Sequence, residues 1–225
     1  MTEATQLHYE TITPQLRRML TELMTEPVLA PFSLAGGTSL SLRMGHRISV
    51  DIDLFTNADY GSLDFSAIEK MLKSKYPYYY CSDLTGIVGF GRTYYVGETE
   101  EESIKLDLFY HDDITEPCDI IDGIRLVTRD DVASMKIDVI QRGGRKKDFW
   151  DIHELLNHYS PEEMIALHEK RHPWSHDRKT IIANLADFSL ADEMPDPICL
   201  RNKAWGIIKL NFVELANGIP QETSI

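Results

Sequence analysis

No run of this chain approaches the 18 or so consecutive apolar residues of a membrane span. The first ten residues, MTEATQLHYE, lack the basic and then apolar order of a secretory signal, so the sequence points to the cytoplasm. Cysteine is scarce. Cys81, Cys118 and Cys199 lie far apart with no Cys-x-x-Cys spacing, which supports neither a disulfide framework nor a zinc knuckle. Lys and Arg number 23 against 36 Asp and Glu, and the net charge of −13 argues against broad, sequence-independent affinity for nucleic acid. A candidate local exception is Arg142-Gly143-Gly144-Arg145-Lys146-Lys147, which reads equally as a charged loop between two helices. There is no internal repeat and no low-complexity segment. What remains is an ordinary globular composition, and 225 residues suffice for one large or two small domains with a real core.

The chemistry concentrates between Leu34 and Phe55, LAGGTSLSLRMGHRISVDIDLF. A short apolar strand, Phe32 to Ala35, leads into Gly36 and Gly37, which permit a tight turn. Thr38 then opens a brief helix that Gly45 stops. Backbone N–H groups and a hydroxyl at such a turn face one point, as in anion sites. The following segment alternates as a strand, with Ser49, Asp51 and Asp53 on one face and Val50, Ile52 and Leu54 on the other. Two strand carboxylates on one face repel unless water or a cation lies between them. Each piece alone also reads plainly, as a strand-to-helix turn and a half-solvated strand.

Upstream, Thr13-Pro14 caps a helix whose stripe is Leu16, Met19, Leu20, Leu23 and Met24. Downstream, Asp59 to Ser62 is a turn, and Asp64 or Ser66 opens a helix with Phe65, Ile68, Met71 and Leu72 on one face, ended by Tyr76-Pro77. From Tyr78 to Tyr110 the pattern is β, broken by Gly86, Gly89, Gly91 and Gly97, which suggests antiparallel strands joined by turns. In its last strand Lys105 and Asp107 face away from Ile104, Leu106 and Leu108, so Asp107 is a third strand carboxylate, or else a solvated residue paired with Lys105. From a Thr128 capping box onward the chain is helical: to about Arg142, Asp148 to His158, from Ser160-Pro161, from Asp177, and Lys203 to Asn217. The expected domains are therefore 1–127, a mixed and mostly antiparallel sheet with helices, and 128–225, a helical subdomain, an α/β (α+β) fold overall.

Gly-Gly, some ten residues, and Asp-x-Asp resemble the signature of the nucleotidyltransferase superfamily. More closely, GGTSLSLRMGHRISVDIDLF is similar to the AbiEii/AbiGii toxin family of bacterial abortive-infection and toxin–antitoxin systems, and the likeness continues through IKLDLF and KKDFWDIHELL across residues 30 to 157. The resemblance implies a nucleotidyltransferase-like fold and transfer of a nucleoside monophosphate from an NTP to an acceptor, which is a tRNA or other RNA, a protein or a small molecule. It also implies a cognate antitoxin. Asp51, Asp53 and Asp107 would converge to hold Mg²⁺ (or Mn²⁺), with Gly36, Gly37, Thr38, Ser39 and Lys105 on the nucleotide. Arg47 either reaches phosphate or pairs with Asp51 or Asp53.

Lys136 sits between Val132 and Ile140 on a helix seam, where it snorkels by default or, as the family's lysine does, points at triphosphate. Lys147, Asp148 and Asp151 match the family's Lys-Asp-x-x-Asp and take a nucleotide or acceptor role. The plain alternative is that Asp148 caps a helix and Lys147 pairs with Asp151. His168, His172 and His176 are four apart, but Pro173 interrupts that helix, which disfavours a metal face. Two other classes compete with the transferase: a non-catalytic nucleotide- or partner-binding module on the same frame, and a metal-dependent phosphohydrolase.

Overall fold

The structure is a computed structural model and describes residues 6–82, 88–115 and 117–219. Gly86, one of the expected strand breaks, lies outside the described residues. The chain folds as two compact units: one comprises the residues up to Arg43 together with Ser49–Thr128, and the other Met44–Ile48 together with the chain from Arg129 onward.

In the first unit, α1 (Pro14–Thr25) starts at Thr13, whose hydroxyl accepts the Leu16 N–H, a cap worth about 1 kcal/mol. Its stripe Leu16, Met19, Leu20, Leu23 and Met24 is buried throughout. Then follow β1 (Ser33–Leu34), α2 (Gly36–Met44), β2 (Ile52–Thr56), α3 (Phe65–Lys75), β3 (Tyr78–Cys81), β4 (Gly91–Gly97), β5 (Ile104–Tyr110), β6 (Asp119–Ile121) and β7 (Ile124–Leu126). The seven strands form one mixed sheet in the order β3-β4-β5-β2-β1-β7-β6, with four antiparallel and two parallel pairings. At its centre β2 and β5 run parallel, pairing Ile52 with Leu106, Asp53 with Asp107 and Leu54 with Leu108. Ile52, Leu54, Leu106 and Leu108 are fully buried and join α1 and the Phe65, Ile68 and Leu72 face of α3 in one core. The alternate residues, Asp53, Lys105 and Asp107, therefore share the other face.

Two local expectations are corrected, and one element is new. Helix α2 begins at Gly36 and not at Thr38, because Gly36 takes φ +64° and turns the chain into the helix two residues early. Ser49 to Asp51 precede the strand instead of belonging to it. Ser49 gives its N–H to Thr11 O, so the ladder starts at Ile52, and Val50 is 59% exposed where alternation put it inward. The hairpin β6–β7 was not anticipated, although Asp122-Gly123, at φ +52° and +78°, is the residue pair that a two-residue turn with positive φ favours.

The second unit contains α4 (Arg129–Gln141), α5 (Lys146–Leu155), α6 (Pro161–Arg171), α7 (Arg178–Leu185), a single turn α8 (Ser189–Asp192) and α9 (Trp205–Gly218). Helix α5 starts two residues before the expected Asp148, and Arg145 is its N-cap. Met44–Ile48 joins this unit by backbone pairing: Ile48 N–H donates to Ile198 O and Leu200 N–H to His46 O, both at 2.9 Å. Phe149, Ile152 and Leu155 point into its core, where Trp150 stacks on Trp205 with ring centres 5.4 Å apart.

Candidate active site

The parallel register of β2 and β5 sets Asp53 beside Asp107, and Asp51 lies two residues upstream in the extended segment entering β2. Lys105, two residues before Asp107 on the same face, ion-pairs with the Asp107 carboxylate. Partial burial pushes the Lys105 ammonium down, but its hydrogen bond to Asp107 and the charges of Asp107, Asp53 and Asp51 carry its pKa above the ordinary lysine value. All three carboxylates thus act on one positive charge. The neighbouring strand adds a residue that the sequence reading missed: Thr93, opposite Asp107 in the β4–β5 register, donates its hydroxyl to Asp107 Oδ1 at 2.7 Å. The signal would have been a Thr in the strand before IKLDLF, but cross-strand register is not written in one strand's sequence.

Gly36 abuts this cluster. A Cβ there would overlap the Asp53 carboxylate, so the glycine is required by close approach as well as by its φ. The first helical hydrogen bond of α2 runs from Ser39 N–H to Ala35 O, which places the N–H groups of Gly37 and Thr38 ahead of the ladder at the positive end of the helix. The two hydroxyls expected on phosphate, those of Thr38 and Ser39, are both buried. Thr38 is 1% exposed, donates to Asp51 O at 2.5 Å and lies 2.8 Å from Ser49 Oγ; Ser39 is fully buried. Thr38 therefore pins the segment that carries Asp51.

The remaining candidates lie in the helical unit and hold one another. Arg47, expected on phosphate or on Asp51 or Asp53, is held by Asp151. Its guanidinium grips Asp151 through Nε at 2.6 Å and Nη2 at 2.9 Å, and His46 Nε2 meets the same carboxylate at 2.7 Å. Lys136 neither snorkels nor projects to solvent; its ammonium bridges Asp148 at 2.7 Å and Asp151 at 2.6 Å. Asp148 also accepts from Arg145 Nε at 2.8 Å and from the Arg145 backbone N–H, so it caps α5 from the third position and is not itself the N-cap. Asp148 and Asp151 have no exposed surface and Lys136 has 5%.

Burial pushes the Asp151 carboxyl up. The charges of Arg47 and Lys136, then hydrogen bonds from His46 and Arg47, more than reverse this and hold it well below the usual carboxylate range. Arg47, Lys136, Asp148 and Asp151, expected on the nucleotide, thus form a buried ion network in which charges gathered by the fold satisfy each other. Lys147 is half-buried in the first turn of α5. The basic loop is likewise engaged: Arg142 pairs with Asp138, Arg145 with Asp148, and Lys146 with Asp196 at 3.1 Å.

Among the described residues, the set of three metal-capable side chains whose ligand atoms come within 4.8 Å of one another is a different one, Asp138, His168 and His172. Of the acidic trio, Asp107 pairs with the Lys105 ammonium, and the charges of Asp53 and Asp51 also act on it. The trio's donors are nonetheless hard carboxylate oxygens facing a common positive charge, with glycine leaving the space beside Asp53. That donor chemistry suits Mg²⁺ or Mn²⁺.

A mixed sheet with paired acids at the centre and a glycine turn into a helix beside them defines the nucleotidyltransferase fold, and solved structures agree. The nucleotidyltransferase toxin MenT4 of Mycobacterium tuberculosis matches with a TM-score of 0.59 at 14% identity, over 91% of this chain and 84% of that one. JHP933 of Helicobacter pylori matches with a TM-score of 0.52 at 20% identity, over 93% and 89%. The chain belongs to the family described as nucleotidyl transferase AbiEii toxin, type IV toxin–antitoxin system, whose model matches residues 18–217. It is a nucleotidyltransferase. An uncharacterized protein of Aquifex aeolicus is 28% identical over 188 residues, 79% of this chain and 83% of that protein. No helix among the described residues is long and apolar enough to cross a membrane.

Proposed function

We propose that the chain moves a nucleoside monophosphate from an NTP to an acceptor hydroxyl, with Asp51, Asp53 and Asp107 as the catalytic and metal-holding residues. The observation that carries this is the β2–β5 register, which sets Asp53 beside Asp107 with all three acids acting on Lys105. Bound there, Mg²⁺ or Mn²⁺ would gather the phosphates, neutralise their charge and acidify the attacking hydroxyl. The protein's own groups prepare the site. Thr93 fixes the orientation of Asp107, and Thr38 anchors the Asp51 segment through its backbone carbonyl. The backbone N–H groups of Gly37 and Thr38 hold an outer phosphate at the start of α2. Lys105 balances the acids when no nucleotide is bound and is released to phosphate when one is.

Residues 1–127 serve as the catalytic domain and 128–225 as the helical subdomain. Arg47, Lys136, Asp148 and Asp151 keep the helical unit in one arrangement, and Lys147 contacts nucleotide or acceptor. The protein works in the cytoplasm, with a cognate antitoxin restraining it, and its acceptor is an RNA, tRNA being the first to try. Incubation with each labelled NTP, Mg²⁺ and total RNA, resolved on a gel, tests the reading. Label should enter RNA with one NTP preferred. Loss of NTP without incorporation would indicate a hydrolase, and binding alone a non-catalytic module; either would overturn the proposal.

A further inference from the structure

In the helical unit, far in sequence from the acids of the sheet, three histidines and an aspartate meet in a way that the transferase chemistry does not use. His168, near the end of α6, has no exposed surface, and His172, which caps that helix, has 9%. Because α6 runs to Arg171, the helical spacing between His168 and His172 is intact and the break at Pro173 falls after both. Their rings stack with centres 4.4 Å apart. Asp138 reaches them from α4, and the ligand atoms of Asp138, His168 and His172 all lie within 4.8 Å of one another.

The distance between His168 and Asp138, within reach of an ion pair, also fits two ligands of one metal ion. His168 Nε2 is buried, makes no hydrogen bond, and faces Asp138 Oδ1 across 3.6 Å. That is too long for a hydrogen bond. It is close to the edge of a ligand tetrahedron, since bonds of about 2.1 Å at tetrahedral angles separate two ligand atoms by about 3.4 Å.

The other ring nitrogen is already engaged, with His168 Nδ1 lying 2.8 Å from His176 Nδ1. At that distance His168 donates its Nδ1–H to the His176 Nδ1 lone pair. With that hydrogen on Nδ1, the Nε2 lone pair of His168 points at a carboxylate, an arrangement that a cation between them satisfies. Fixing the tautomer of a ligand histidine through its second nitrogen is the usual support of such sites. Arg142 pairs with the same aspartate and offsets the remaining carboxylate charge.

We propose that Asp138, His168 and His172 form a zinc site, with His176 as the positioning residue for His168 and the fourth position left to water or an external ligand. Two imidazoles and one carboxylate select Zn²⁺, Co²⁺ or Ni²⁺ over Mg²⁺, so this site and the all-oxygen trio sort different metals. Its role is to tie α4 to the end of α6 and to the turn that leads into α7.

The test uses the full chain, stripped with chelator and dialysed, and titrated with Co²⁺ and with Zn²⁺. One equivalent of Co²⁺ should give the intense visible absorption of a four- or five-coordinate ion, Zn²⁺ should displace it, and Zn²⁺ should raise the thermal midpoint. Asp138→Asn and His172→Gln should each abolish both effects, while Asp53→Asn leaves the cobalt spectrum unchanged. His176→Phe should weaken zinc binding by roughly ten- to a hundredfold. Wild-type protein that shows neither the absorption nor the shift overturns the proposal without recourse to any variant. A cobalt spectrum that survives in the Asp138→Asn, His172→Gln double variant, or that vanishes in Asp53→Asn, overturns it as well.

Discussion

At the scale of single residues, the two places where charge is packed against charge make opposite demands. Asp151 is surrounded by Arg47, Lys136 and His46 with no solvent exposure. Asp151→Asn keeps the shape but leaves the buried Arg47 guanidinium without its counter-charge and Lys136 with Asp148 alone, so unfolding in urea should show a loss of about 3–5 kcal/mol. A loss under about 1 kcal/mol would mean that the network is not formed in solution. Gly36 makes a second demand. In Gly36→Ala the new methyl would occupy the place of the Asp53 carboxylate in a backbone held at φ +64°, so nucleotide transfer should fall together with a destabilisation of about 1–3 kcal/mol. Gly206→Ala in α9, where a Cβ meets open space, should be neutral or slightly stabilising, and parallel thermal melts of the two variants check the contrast.

At the scale of elements, how much could be read from the sequence depended on whether a residue's environment lies within its own segment. The stripe of α1, the apolar faces of β2 and β5 and the Ser160 capping box follow from periodicity and local capping, and the structure has all of them. The start of β2 was misread because Ser49 donates its N–H to Thr11, a long-range bond that leaves no local trace. Arg47 and Asp151 are 104 residues apart, and their bidentate pairing had no local signal either. In the candidate site, Asp53 and Asp107 were legible through the strand period, whereas Asp51 lies ahead of the strand and Thr93 depended on a register that only the folded sheet sets.

Helices α4 and α5 also carry a pH prediction. Burial raises the carboxyls of Asp148 and Asp151, but Lys136 and Arg145 for the first, and Arg47 and Lys136 for the second, bring both below the ordinary aspartate value. Groups depressed on folding contribute stability above their unfolded pKa and lose it as pH falls through the folded values. Unfolding free energy should therefore be steady near neutrality and fall from about pH 5 downward, with a shallower acid slope in Asp151→Asn. Lys136 works in the opposite sense. Burial lowers it, Asp148 and Asp151 raise it above 10.5, and its contribution is lost only as pH rises past that value. Denaturant titrations from pH 3 to pH 8 check the acid limb, and identical slopes in wild type and variant would contradict it.

At the scale of the whole molecule, the family model matches residues 18–217 and so extends well past residue 157, where the motif likeness ended. Motifs fade where a helical unit is specified by packing, as with Trp150 on Trp205, since many apolar sequences satisfy a core of the right volume. A short segment, Met44–Ile48, nonetheless belongs to that unit, a cross-connection that no composition shift announces.

The central claim is that Asp51, Asp53 and Asp107 are held together for transfer and not for stability. The direct measurement pairs labelled-nucleotide incorporation with the thermal midpoint of wild type and Asp53→Asn, each with and without Mg²⁺ and NTP. Wild type should incorporate label and gain thermal stability when both ligands are present. Asp53→Asn should lose transfer by orders of magnitude and lose the ligand-induced gain, while its ligand-free midpoint stays level or rises as repulsion between the acids is relieved. An Asp53→Asn protein that still transfers nucleotide at close to the wild-type rate would contradict the assignment.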